Sequence, residues 1–279
     1  LLASLALSLE RLDPQLRPHL PGLGVLQGGA VEASVLAVTE IPPEPWAALR
    51  RGLEQTGLMT VETVPGLEIP FLRFHPTLAP ALWSRLSAAD QSLLTARHRA
   101  AYYALSQELY DLDSTAVHAA RAVARRELPN LLVAVEGALA AGEPEAVDFV
   151  DNVGRFLGFF GLSRDRERLL AQAQAAAGPP GSKNWYLSRS GPGEALYSAG
   201  RFAEAAATFR ALLDALDPAP SFNRCTTLAW LARCLRKQGQ LAEANVTLHQ
   251  AMAEAEPLEP SPEMRQLIGF LNGDRADLL

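Results

Sequence analysis

The chain has 279 residues, of which 48% are hydrophobic and 20% charged, a balance that excludes a disordered chain and leaves room for one large domain or two ordinary ones. Its net charge is −6 with a pI of about 5.5, and an acidic chain repels phosphate backbones, so nucleic acid is not an expected partner. The two cysteines, Cys225 and Cys234, lie nine residues apart, half a turn out of register on a helix, which argues against a disulfide or a metal pair and for a reducing, cytoplasmic home.

The opening LLASLALSL is apolar, but it lacks a basic flank and is too short to span a bilayer. No later stretch reaches a transmembrane length, and no membrane association is expected. Leu1 stands where Met is usual; this reads as a piece of a longer protein, although an altered or lost start would give the same letters. Over residues 1–87 the pattern predicts short helices at 2–12, 14–21, 29–38 and 45–56. GLMTVETVPGLEIPFLRFH then predicts two strands, Leu58–Val64 and Leu67–Phe74, joined at Pro65-Gly66. Helices followed by such a hairpin make a winged helix, expected over 1–87. Winged helices often bind DNA. This stretch, however, holds six Arg and no Lys against seven Glu and one Asp, and helix 45–56 offers only Arg50 and Arg51, short of the basic footprint of a recognition helix.

Residues 88–142 predict further helices in ADQSLLTARHRAAYYALSQELY and LPNLLVAVEGALAAGEP, the second with Leu131, Leu132, Val135 and Leu139 on one stripe. The basic group Arg121, Arg125 and Arg126 reads as a solvated helix face. Beyond it a repeat emerges. Gly161, Gly200 and Gly239 are spaced 39 residues apart. Each is preceded four residues earlier by Leu157, Leu196 or Leu235, and seven earlier by the small Gly154, Gly193 or Ala232. Each is followed four residues later by Asp165, Glu204 or Glu243, and nine later by Leu170, Phe209 or Leu248. Glycine takes the positive φ that ends a helix in a tight turn. The acidic residue suits the next helix's N-terminus, and the small and large residues let two helices approach and interlock. Hairpins are therefore expected over 147–178, 186–218 and 225–257. Ser261-Pro262-Glu263 starts a capping helix over 261–274, and loop 175–184 is the most breakable segment. Pro192 falls within the first helix of the middle hairpin, where it should kink or shorten it.

The stretches GEALYSAGRFAEAAATF and LARCLRKQGQLAEANVTL resemble the tetratricopeptide repeat (TPR) family, best over 186–257, with a period longer than the usual TPR length. The implied fold is mostly α: a TPR-like α-α superhelix over 88–279, preceded by a small winged-helix (α+β) domain over 1–87. That order resembles the C-terminal part of bacterial STAND signalling ATPases, the class that includes NB-ARC proteins. LPGLGVLQGGAVE and ELPNLLVAVEGALAAGEPEAV resemble their winged-helix core and first sensor hairpin. In Arg73-Phe74-His75-Pro76-Thr77-Leu78, His75 matches the histidine of the family's Met-His-Asp-like motif, while Pro76 replaces its Asp. The resemblance implies that His75 contacts the phosphate of ADP or ATP held by a nucleotide-binding domain, missing from this chain, to which it would be joined in cis. Read without the family, His75 is a strand-end histidine that caps a helix at 77–86.

TPR geometry places Glu194 and Tyr197 of the middle hairpin, and Arg233, Arg236 and Lys237 of the last, on the concave face. A cationic cluster beside an aromatic suits an acidic peptide or protein ligand; solvated charge is the plainer reading. The lysines and asparagines of a chaperone-binding carboxylate clamp are absent. There is no Gly-Lys dipeptide, hence no phosphate loop, and Gly22-Leu-Gly24 is followed by Gln27 rather than a third glycine. His19, His75, His98, His118 and His249 form no HxxxH or HExxH pair, and no G-x-S-x-G occurs. No catalytic residue, metal or cofactor is therefore expected in this chain. It reads as the sensor and autoinhibitory segment of a STAND-type ATPase, with a stand-alone TPR scaffold and a TPR-containing transcriptional regulator as alternatives.

Overall fold

The computed structural model describes residues 2–63 and 69–276, which are mostly helical with one small sheet. Two compact units divide the chain at Leu1–Phe156 and Leu157–Leu279.

The first unit begins with α1 (Leu2–Glu10) and a 3-10 helix at Arg17–Val25. The expected helix at 14–21 is thus replaced by a tighter one, since Pro18 and Pro21 remove the amides that regular α-helical bonds would need. β1 (Gly29–Val31), α2 (Glu32–Thr39), α3 (Pro43–Gln55), β2 (Met59–Thr63), β3 (Pro70–Phe74) and α4 (Leu78–Trp83) follow. The sheet is antiparallel in the order β1-β3-β2, with Gly29 opposite Arg73 and Met59 opposite Phe74. The expected turn at Pro65-Gly66 lies outside the described residues. The helix expected over 29–38 is corrected at its start, because Gly29–Val31 is a strand. Gly29 has a φ of 147°, and a Cβ there would collide with the Leu72 carbonyl. Only glycine lets this segment lie against β3, and the helix waits for Glu32, whose carboxylate suits an N-terminus.

The unit continues through α5 (Ala88–Leu112), which Ser87 caps by accepting the Asp90 amide at 3.1 Å, and α6 (Val117–Ala141), and it includes most of α7 (Ala146–Phe159). The expected boundary at 87/88 therefore falls inside a packed unit. α5 packs on α2 and the 3-10 helix, and α6 on β1, for reasons of buried polar chemistry given below.

The second unit contains α8 (Ser163–Ala175), α9 (Lys183–Ser198), α10 (Phe202–Ala215), α11 (Phe222–Lys237), α12 (Leu241–Ala255) and α13 (Pro262–Ala276), each packed on the next. Gly161, Gly200 and Gly239 have φ of 70°, 76° and 78°. After each, an amide turns back to the repeated leucine's carbonyl: Leu162 to Leu157 at 2.9 Å, Arg201 to Leu196 at 2.9 Å and Gln240 to Leu235 at 3.0 Å. This is a left-handed helix cap, and it fixes the next helix start at 163, 202 and 241. The opposite ends repeat as well. Ser182, Ser221 and Ser261 accept the amides of Trp185, Arg224 and Met264 at 3.2, 3.3 and 3.1 Å, a set of N-caps of which the sequence reading found only the last.

A Cβ on Gly193 would lie 2.7 Å from the Phe209 ring, so the small-to-large pairing is a contact between α9 and α10. Pro192 does not shorten α9, which runs unbroken through it. Neighbours hold the helix on both sides, Gly191 closing on Leu170 of α8 and Gly193 on Phe209 of α10. One face of α11 buries Cys225, Leu228, Ala229 and Ala232 against α12 and α13; the other buries Leu231, Cys234 and Leu235 against α10 and α12. The two cysteines thus face opposite ways, and burial pushes both thiols up to about 11. Among the described residues, no helix is long and apolar enough to cross a membrane.

Candidate functional site

His75 stands at the end of β3, and its amide reaches the Leu58 carbonyl at 2.9 Å. Its side chain is exposed. Nδ1 lies 2.8 Å from the Thr77 hydroxyl and accepts the Thr77 amide at 3.4 Å. In the neutral ring this bonding puts the proton on Nε2. One nitrogen therefore serves the chain entering α4, while the other is available as a donor. Nearby, Arg73 is engaged by Glu62 at 2.5 and 3.0 Å across the hairpin, which raises the guanidinium and lowers the carboxyl from their usual values.

The residues expected on the partner face all belong to the second unit. Tyr197 of α9 meets Phe202 and Trp230 edge-on, both at 5.3 Å between ring centroids. Trp230 stacks on buried Phe209 at 5.9 Å. Arg233 places its guanidinium 5.1 Å from the Trp230 centroid and 5.6 Å from that of Phe270, which is 53% exposed. Burial pushes the Tyr197 hydroxyl up, with Arg233 and Arg236 acting against it. The structure thus brings Tyr197, Arg233 and Arg236 together; Glu194 is half-buried on α9 and Lys237 is exposed at the end of α11. The sequence reading missed Asp274 of α13, which accepts from Arg233 at 2.6 Å and lies 3.8 Å from Arg236. It also missed the aromatic shelf of Trp230 and Phe270. Asp274 offsets part of the expected cationic cluster, so the face is more aromatic and less basic than its Arg and Lys content implies. A ring surface with a fixed guanidinium can hold a peptide by stacking and cation–π contact.

A second constellation, unforeseen from the sequence, is buried in the first unit. Glu127 and Asn130 project from α6 toward β1. Glu127 accepts the Val31 amide at 2.5 Å, the Tyr102 hydroxyl at 2.8 Å and the Asn130 side-chain amide at 3.1 Å. Asn130 also donates to the Gly29 carbonyl at 2.8 Å and accepts the Gln27 amide at 2.6 Å. His98 packs against Tyr102 with ring centroids 4.5 Å apart and planes tilted by 38°, and among the described residues its Nε2 has no hydrogen-bond partner. Burial raises the Glu127 carboxyl, pushes the Tyr102 phenol well above its usual value and holds His98 down at about 4; Arg99 also lowers His98, and Asn130 opposes.

An acid, a phenol and an imidazole in contact can do proton chemistry in a cleft. Here Tyr102, Glu127 and Asn130 are 0% exposed and His98 1%, so no reactant reaches them. The Glu127 oxygens are taken by backbone and side-chain donors. The group is a clip that supplies partners for the backbone of residues 27–31.

Asp113 forms a smaller anchor, buried and paired with Arg121 at 3.0 Å and Arg155 at 2.9 Å. The expectation that the Arg121 group is a solvated face is therefore corrected for Arg121: a buried carboxylate needs a partner, and α6 supplies it. Among the described residues, no group of three or more His, Cys, Asp and Glu could hold a metal ion. No family model matches the chain, and no curated protein matches it.

Proposed function

We propose that this chain is the interaction and autoinhibitory sensor segment of a STAND-type signalling ATPase, with a TPR-like array that takes a protein or peptide ligand. The observation that carries this reading is the set of three glycine turns of one geometry at 39-residue spacing. They follow a strand–helix–helix–strand–strand unit that ends at exposed His75. That order supports a winged-helix-like reading of the N-terminal segment. The available Nε2 of His75 supports a phosphate contact. Tyr197, Trp230, Arg233, Arg236 and Phe270 make up the ligand face of this reading. ATP or ADP belongs to the nucleotide-binding domain that this reading requires in cis, since the sequence has no phosphate loop.

The test begins in the gene. A Gly-x-x-x-x-Gly-Lys-Ser/Thr encoded in frame upstream of Leu1 is required, and its absence ends the ATPase reading. In the full-length protein, His75→Ala should then weaken ADP retention and raise basal ATP hydrolysis. Unchanged nucleotide retention would reduce His75 to the structural role that its Thr77 bonds already give it, and would favour a TPR scaffold or adaptor. Arg50 of α3 weighs against a DNA-binding regulator. It is engaged by Glu32 at 2.8 and 2.9 Å and by Glu54 at 2.9 Å, which leaves little free charge for a phosphate backbone.

A further inference from the structure

Away from the aromatic shelf, the start of α11, the loop after α12 and the start of α13 enclose a groove of about 340 Å³, lined by Phe222, Leu258, Glu259, Ser261, Glu263 and Met264. Met264 forms the floor at 3% exposure, while Phe222 is 40% exposed and, among the described residues, takes part in no ring pair. Hairpin stacking does not call for a phenyl ring there. Thirty-nine residues earlier, the first residue of α9 is Lys183, so the same site in the preceding hairpin carries a charged, water-seeking side chain. Phe222 forms an apolar wall beside half-buried Leu258 and buried Met264, and it is this concave apolar lining, rather than the ring's exposure, that offers a site.

The rim carries more acid than base. Among the described residues Glu259 is exposed with no ion pair, and Glu263 is exposed with its carboxyl lowered by its own amide and Ser261 and, more weakly, by Arg265, whose guanidinium is held on the Pro260 carbonyl at 2.7 Å. A groove of this size takes one or two bulky side chains, and carboxylates beside it select a cation next to them.

We infer that this groove docks a partner protein through a short segment with a bulky apolar residue flanked by Lys or Arg. The assignment does not depend on the ATPase reading and uses none of the residues of the aromatic face. The probe is a fluorescein-labelled peptide, Gly-Lys-Arg-Leu-Phe-Lys-Arg-Gly, titrated with the intact 279-residue chain and followed by anisotropy. Saturable one-to-one binding is expected, weakening as salt rises. Two controls, with Leu-Phe replaced by Ser-Ser or with every Lys and Arg replaced by Glu, should not bind.

Phe222→Ser and the double variant Glu259→Lys/Glu263→Lys should each weaken binding by about tenfold or more. The charge-matched pair Glu44→Lys/Glu108→Lys, in the first unit, should leave it unchanged. Circular dichroism checks that each variant folds, and the double variant keeps the test open if Phe222→Ser does not. No saturable binding overturns the assignment, as does a loss equal in the groove and charge-matched variants, which would mean attraction to net charge alone.

Discussion

The first unit joins residues far apart in the chain: the bonds from Glu127 to Val31 and from Asn130 to Gln27 and Gly29 cross 96, 103 and 101 positions. The second joins neighbours, each helix packing on the next through turns that repeat every 39 residues. A unit closed by buried polar groups depends on a few residues whose loss orphans several others. A unit closed by stacked apolar faces spreads its stability over many contacts, and any one of them costs what its own volume costs.

The sharpest test of the apolar side is Phe209→Ala. The ring is fully buried against Ala205, Ala206, Leu235 and Trp230, and the change should cost about 3–5 kcal/mol in urea unfolding. A loss under about 1 kcal/mol would mean that α9 and α10 do not interlock as described. On the polar side, Glu127→Leu leaves the Val31 amide, the Tyr102 hydroxyl and one Asn130 donor without their acceptor, a loss of about 3 kcal/mol. Glu127→Gln keeps an acceptor and should lose less than half of that. Equal losses for the two variants would contradict the clip.

Acid should separate the units by a similar amount. Folding holds His98 at about 4 against an ordinary 6.5. The folded form is therefore at full strength above pH 6.5 and loses about 3 kcal/mol as pH falls from 6.5 to 4. Arg99 opposes protonation of the ring as well. Glu127 acts the other way, because its raised carboxyl takes up a proton more readily in the folded state, which trims the acid loss. His98→Phe should flatten the pH dependence of the urea midpoint between 6.5 and 4; a curve identical to the parent's would show that His98 is not the responsible group.

The smallest effect is Gly200→Val. A Cβ at Gly200 meets nothing within 4 Å, so the cost is the backbone's alone at a φ of 76°, about 1–2 kcal/mol. No change in melting temperature would remove Gly200 from the left-handed region.

This contrast also explains what could be read from the letters. The glycine turns, the leucines four residues before them and the Gly193–Phe209 pairing were legible because their causes lie within one hairpin. Cys225 and Cys234 were placed on opposite faces by helix geometry alone. Glu127 and Asn130 gave no such signal: on α6 they look like ordinary polar residues, and only the folded approach of β1, a hundred positions earlier, gives them work. The strand at Gly29–Val31 was missed for the same reason, since GGAV becomes extended only through pairing with β3. Asp274 was hidden by a separation of 41 residues from Arg233.

The serine caps at 182 and 221 and the glycine turns at 200 and 239 leave the joints of the second unit interchangeable. A block from Ser182 to Pro220 ends where an identically capped helix begins, so a duplicated copy can be spliced in as a cassette without rewriting either joint. Gene duplication or deletion in steps of 39 codons would then lengthen or shorten the array while sparing every turn. The length of the array is therefore open to change by recombination, whereas the clipped first unit, whose bonds span a hundred residues, admits no such cut.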